Sequence, residues 1–126
     1  MKVKTADLIG LPLDWAVAKC LEVTKIQLYE YNGRGFLRVH LDGGIHAPWE
    51  PSHYWAQGGP IIEREWIELQ NGSNLHPYLW GACKWSDTDA GTPLWEGKGP
   101  TPLIAAMRCV VASRLGDEVD VPDEPV

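Results

Sequence analysis

The chain has 126 residues, 44% apolar and 22% charged, an ordinary soluble composition for one domain long enough to bury a core. Its net charge of −6 comes with 11 basic residues scattered along it, which excludes a nucleic-acid backbone as partner, because phosphate contacts need clustered Lys and Arg. No apolar run approaches the roughly 20 residues of a membrane span, and Met1-Lys2-Val3-Lys4 lacks the apolar segment of a signal peptide, so the protein is expected in the cytoplasm where it is made.

Seven tryptophans stand against one phenylalanine. Tryptophan has a large apolar face and an N–H that needs a partner, so most of the seven are read as core or half-buried, with one or two available for binding. Cys20, Cys83 and Cys109 are an odd set without a Cys-x-x-Cys pair and read as reduced thiols, Cys20 and Cys109 packing as small hydrophobes.

In chain order, the first helix is predicted from about Pro12 to Leu21, with Leu13, Val17, Cys20 and Leu21 as its buried stripe. Trp15 lies off that stripe and covers an edge, and Asp14 reads as a first-turn acid favoured by the helix dipole rather than a catalytic carboxylate. A β-hairpin follows, Thr24 to Tyr31 and Gly35 to Leu41, turning at Asn32-Gly33-Arg34. His40, His46 and His53 lack the spacing of a helical metal pair and read as loop histidines, so no metal or cofactor is expected.

The middle of the chain is predicted as a broken helix. Ser52 is placed as its N-cap, Gly58-Gly59-Pro60 interrupts it, and Pro60 opens a second piece carrying Ile62, Trp66 and Leu69 at helical spacing. Such a break leaves amides without helical acceptors, and an anion, water or a neighbouring loop can satisfy them. A ligand is therefore placed at Gly58 and Gly59, walled by Trp55 and Tyr54, with Gln57 reading a polar edge and Arg64 and Lys98 adding positive charge. Glu63 and Glu65 stand at i,i+2, diverge on a helix, and read as solvated surface acids.

A third strand is predicted over Tyr78 to Trp85, then a long loop from Ser86 to Gly99 on which Trp95 is either a lid aromatic or a plug at the core edge. The last helix is the clearest element: Thr101 as N-cap, Pro102 at the first position, an apolar face of Leu103, Met107, Val110, Val111 and Leu115, and Gly116 as the stop. Lys98 beside the amino end of that helix, with Thr101, is a physically reasonable anion site. Residues 1–116 are thus read as one α+β domain, a small antiparallel sheet of three or four strands packed with N-terminal, central and C-terminal helices. Residues 117–126 are read as an acidic, frayed tail.

Three blocks carry a resemblance. They are Leu13-Asp14-Trp15-Ala16-Val17-Ala18-Lys19, Trp55-Ala56-Gln57-Gly58-Gly59-Pro60-Ile61-Ile62-Glu63, and Gly99-Pro100-Thr101-Pro102-Leu103-Ile104-Ala105-Ala106-Met107-Arg108. In this order they resemble the NinX-like family of small phage proteins, itself distantly similar to phage α/β/α sandwich domains in which the central block is a plain helix. The resemblance implies an accessory protein made in the cytoplasm of an infected or lysogenic bacterial host, dispensable for the core phage cycle, and brings no established reaction. The family usually has Ser-x-Asp-Trp where this chain has Ser52-His53-Tyr54-Trp55.

The sequence contains no phosphate loop, dinucleotide fingerprint or nucleophile elbow. The leading expectation is a non-enzymatic binder that sequesters a nucleotide-type signal of host defence. The alternative is a protein-interaction module that inhibits or redirects a host factor through exposed tryptophans. An enzyme is the weakest reading, because no acid, base and nucleophile converge. A homo-oligomer, in the first place a dimer, is expected from the tryptophan excess.

Overall fold

The computed structural model describes residues 1–22, 26–31, 34–40, 46–71, 79–85 and 93–122. The fold is α+β. It runs β1 (Lys2–Lys4), a 3-10 turn (Thr5–Asp7), α1 (Gly10–Cys20), β2 (Ile26–Tyr31), β3 (Arg34–His40), β4 (His46–Pro48), α2 (Trp55–Arg64), β5 (Ile67–Gln70), β6 (Trp80–Trp85), β7 (Pro93–Gly99), α3 (Pro102–Leu115) and β8 (Glu118–Asp120). The described strands form three small antiparallel sheets, β1-β8, β2-β3-β4 and β5-β6-β7.

The centre of the fold is α3. The Thr101 hydroxyl accepts from the Ile104 amide at 3.1 Å, Pro102 opens the first turn, and Gly116, at φ +88°, ends the helix. Every residue from Leu103 to Ala112 except Arg108 is buried, so the helix is apolar nearly all round, as a helix enclosed by other elements must be. It packs against α1, α2, β5, β6 and β7. Leu115, expected on the buried face, is 40% exposed because it lies past the last covered turn.

The close approach of β7 to α3 depends on glycine. A Cβ on Gly97 would fall 2.6 Å from the Cys109 amide nitrogen, and one on Gly99 2.8 Å from Ile104 Cγ2. Period-two alternation then turns Glu96 and Lys98 outward. The Ser86–Gly99 loop is therefore corrected over its second half: residues 93–99 are a strand paired with β6, and residues 86–92 lie outside the described residues.

The central break is also corrected. α2 is one continuous helix through Gly58-Gly59-Pro60. Pro60 cannot donate to the Ala56 carbonyl, but Ala56 is exposed, where water can serve that oxygen. Gly58 answers a packing need: a Cβ there would lie 2.5 Å from both Leu103 Cδ2 and the Pro51 carbonyl oxygen. α2 ends at Arg64, Trp66 takes a left-handed φ of +57°, and Leu69 belongs to β5, so the helical spacing read through Ile62, Trp66 and Leu69 fails at that turn.

The hairpin holds, with β2 and β3 in register from Ile26 opposite Val39 to Tyr31 opposite Arg34; its turn residues 32–33 lie outside the described residues. α1 starts at Gly10, two residues before the predicted start. Trp15, expected at an edge, is a core residue only 9% exposed, with Lys19 Nζ 5.4 Å from its ring centre. The stretch expected to fray begins with β8, which pairs with β1 from Lys2 opposite Asp120 to Lys4 opposite Glu118 and buries Val119 and Val121.

Candidate functional site

Two places in the fold bring polar side chains together in ways packing alone does not require. The first lies where α1 meets the segment leading into α2. Because α1 starts early, Asp14 stands in its second turn and faces inward at 2% exposure. One carboxylate oxygen accepts the Ser52 amide at 2.9 Å. The Ser52 hydroxyl lies 3.2 Å from Nδ1 of the exposed His53.

Burial pushes the Asp14 carboxyl up to about 6, against the Ser52 hydrogen bond and nearby His53, which hold it down, and with Glu50 adding a smaller push upward. An ionisable group kept in such a setting is a functional-site signal. Around it the chain is tied down: Trp49 Nε1 donates to the Asp14 carbonyl at 2.8 Å, and the His53 and Tyr54 amides turn back to the Glu50 carbonyl. Tyr54 and Trp55 follow, each 54% exposed.

The second place is a cleft of about 500 Å³ bounded by the Lys4–Ala6 segment, β7 and α3. Lys4, Lys98 and Arg108 bring positive charge to it, Glu96 and Asp117 negative charge, and Ala6, Leu79 and Ala112 an apolar lining. The Arg108 guanidinium is fixed by two carbonyls, Nε donating to Leu8 at 2.8 Å and Nη1 to Lys98 at 2.7 Å. Desolvation lowers its pKa, and Asp7 works in the opposite direction.

Several sequence-stated site residues take other roles. Ser52 is not the N-cap of α2; Tyr54 holds that position without a side-chain cap, and Ser52 is buried against Asp14. Gln57 clamps the chain, its Oε1 accepting from the Glu50 amide at 2.7 Å and its Nε2 donating to the Pro48 carbonyl. Gly58 is filled by Leu103 and Pro51, whereas Gly59 has open space. The unbroken helix leaves no free amides at these glycines for an anion to satisfy. Arg64 is exposed at the C-terminal end of α2, and no described residue from 54 to 64 lines the cleft that holds Lys98. The Thr101 hydroxyl caps α3, and the backbone of Trp95 stands opposite Lys84 in β7, with its side chain outside the described residues.

Glu65, expected on the surface, is buried. It accepts from Arg114 Nη2 at 2.7 and 3.1 Å and lies 3.5 Å from Lys84 Nζ, tying the end of α2 to α3 and β6. Burial raises the Cys20 and Cys109 thiols to about 12, which keeps them protonated and inert. Among the described residues, no group of three or more His, Cys, Asp or Glu could hold a metal ion.

Asp14 and Arg108 are the residues sequence reading missed, and they share a signal. Each is a lone charge inside an otherwise apolar helical run, where a charge must have a partner or a task. No curated protein matches the chain. The family model described as Bacteriophage P22, NinX, matches residues 4–114, and the chain belongs to that family.

Proposed function

We propose that this member of the phage NinX family is a non-enzymatic binder that sequesters a small anionic molecule of nucleotide size, the class to which host-defence signals belong, in the cleft beside Lys98 and Arg108. The observation carrying this reading is the cleft itself. Its volume of about 500 Å³ lies in the range of small-molecule sites, and it joins an apolar lining to an arginine already fixed by two backbone carbonyls. A guanidinium held in place loses little freedom when it meets a phosphate, which favours binding. Leu79 and Ala112 supply apolar surface for a base or sugar.

The test is a thermal-shift screen of cyclic and linear nucleotides, followed by calorimetry on the best of them. Binding is expected to weaken about tenfold or more in Lys98→Ala, an exposed residue whose loss leaves the fold alone. If no nucleotide shifts the melting temperature, the reading fails. The interaction-module reading is favoured by a different observation, the exposure of Tyr54, Trp55 and Trp66, the last at 85%. Loss of a captured host protein on Trp66→Ala, with Lys98→Ala silent, would select it.

A further inference from the structure

We propose that the cleft beside Lys98 and Arg108 is built for a single negative charge held between two lysine–carboxylate couples, so that its ligand is a phosphodiester of a nucleoside and not a polyphosphate. This deepens the nucleotide reading above and rests on it.

The central charge is Arg108. It is the one charged residue in the run of α3 from Leu103 to Ala112, and it is half-buried. Its charge is partly withdrawn from water, where a partner of opposite sign counts for more than in bulk solvent. Among the described residues, no carboxylate makes an ion pair with it. Nε is committed to the Leu8 carbonyl and one Nη1 proton to the Lys98 carbonyl. One N–H on Nη1 and both on Nη2 remain, enough for the two non-ester oxygens of a phosphodiester.

The flanks of the cleft are balanced differently. Glu96 and Lys98 lie two residues apart on the outward side of β7, roughly 7 Å along the strand. On the other wall, Lys4 stands opposite Glu118 in the β1-β8 register and adjoins Thr5, whose amide donates to the Asp117 carbonyl at 2.8 Å. Among the described residues, no ion pair joins Glu96 to Lys98 or Lys4 to Asp117. Each lysine thus has a carboxylate near it without being neutralised by contact. Set against Glu96 and Asp117, the charges of Lys4, Lys98 and Arg108 leave the cleft lining at a net +1. Asp7 lies outside the lining but close enough to act on Arg108, and it lowers the positive potential further.

A monoanion at Arg108 therefore meets a lysine on either wall. Each additional negative charge meets Glu96 or Asp117 instead, and like charges brought together on binding are costly. The same carboxylates can accept from the hydroxyl or amine groups that a nucleoside carries beside its phosphate. A phosphodiester holds one negative charge, whereas a monoester carries nearly two at neutral pH and a triphosphate more.

The experiment is calorimetric titration of the full chain with the 3′,5′-cyclic monophosphate, the 5′-monophosphate and the triphosphate of adenosine and of guanosine. A chelator removes divalent cations, which would mask the polyphosphate charge. The cyclic diester is expected to bind about tenfold or more tightly than the triphosphate of the same nucleoside. Glu96→Gln and Asp117→Asn, at exposed positions, should each narrow that gap by about threefold, the scale of one exposed charge pair, at an unchanged melting temperature. Affinity that stays level or rises from diester to triphosphate overturns the proposal and leaves the nucleotide reading in place. So does a gap that neither variant alters, because the carboxylates would then not set it. If no compound of either series binds, the nucleotide reading itself falls, and this inference with it.

Discussion

Asp14 shows how one residue's meaning depends on where its helix starts. Counted from Pro12 it is a first-turn acid; counted from Gly10 it is a second-turn residue facing the core, and nothing local in the sequence separates the two. Its environment has a consequence for stability. A carboxyl raised from 3.8 to about 6 on folding binds protons more tightly in the native state, so native stability rises as pH falls from 7 through 6, and the gain ends near the unfolded value. At 1.36 kcal/mol per unit, the ionised form costs on the order of 3 kcal/mol at neutral pH, of which about 1 kcal/mol is recovered between pH 7 and pH 5. Asp14→Asn keeps an acceptor for the Ser52 amide and removes the charge. Urea melts at the two pH values are expected to show a smaller difference for the variant than for the wild type. Equal differences would place the proton uptake elsewhere.

For the elements, legibility depended on whether the signal was local. α3 could be read almost residue by residue, because Thr101, Pro102 and Gly116 mark its ends through their own backbone chemistry. α2 could not, because a Gly-Gly-Pro run gives a strong local argument for a break while the reason for Gly58 lies in Pro51 and in Leu103, the latter far along the chain. The distant similarity to phage sandwich domains, in which the central block is a plain helix, was the better guide. The two glycines consequently separate. Gly58→Ala puts a methyl into occupied space and is expected to destabilise the protein by about 1–3 kcal/mol, the usual range for overpacking. Gly59→Ala meets no atom within 4 Å and is expected to be neutral or to stabilise by up to about 1 kcal/mol through helix propensity. Denaturant midpoints for the two variants test this directly, and similar losses for both would return the pair to a common backbone role.

At the scale of the molecule, the α+β class was visible in the switch from 3.6-residue to two-residue periodicity, but the division into three sheets was not. Strand pairing is a long-range choice, and a single sequence shows faces without partners. The exposed aromatics bear on assembly. Trp55 at 54% and Trp66 at 85% exposed are unusual surface residues on a chain of charge −6, and covering them in a dimer is the outcome we expect. Light scattering at micromolar concentration should return twice the 14.0 kDa chain mass, and Trp66→Glu should lower it; a monomeric wild type refutes the dimer.

The last expectation concerns the far end of the chain. Acidity and Pro122 suggested fraying, yet Glu118-Val119-Asp120-Val121 alternates, and both valines end 5% exposed. β8 is the partner of β1 in a two-stranded sheet, so the two ends of the described chain hold each other, and Thr5 is drawn in by its hydroxyl to the Gly116 carbonyl at 2.6 Å and by its amide to that of Asp117 at 2.8 Å. That contact also builds one wall of the anion cleft, which Lys4, Thr5 and Asp117 line. Ending the chain after Gly116 removes the two buried valines, worth about 1.5 kcal/mol each or more, and exposes the face of α3 they cover. Such a truncation is expected to lower stability by about 3 kcal/mol and to weaken any ligand bound beside Lys4. A frayed tail predicts neither effect. Calorimetric melting of the truncated chain, with a nucleoside phosphate titrated alongside, distinguishes a strand that organises the cleft from an appendage that does not.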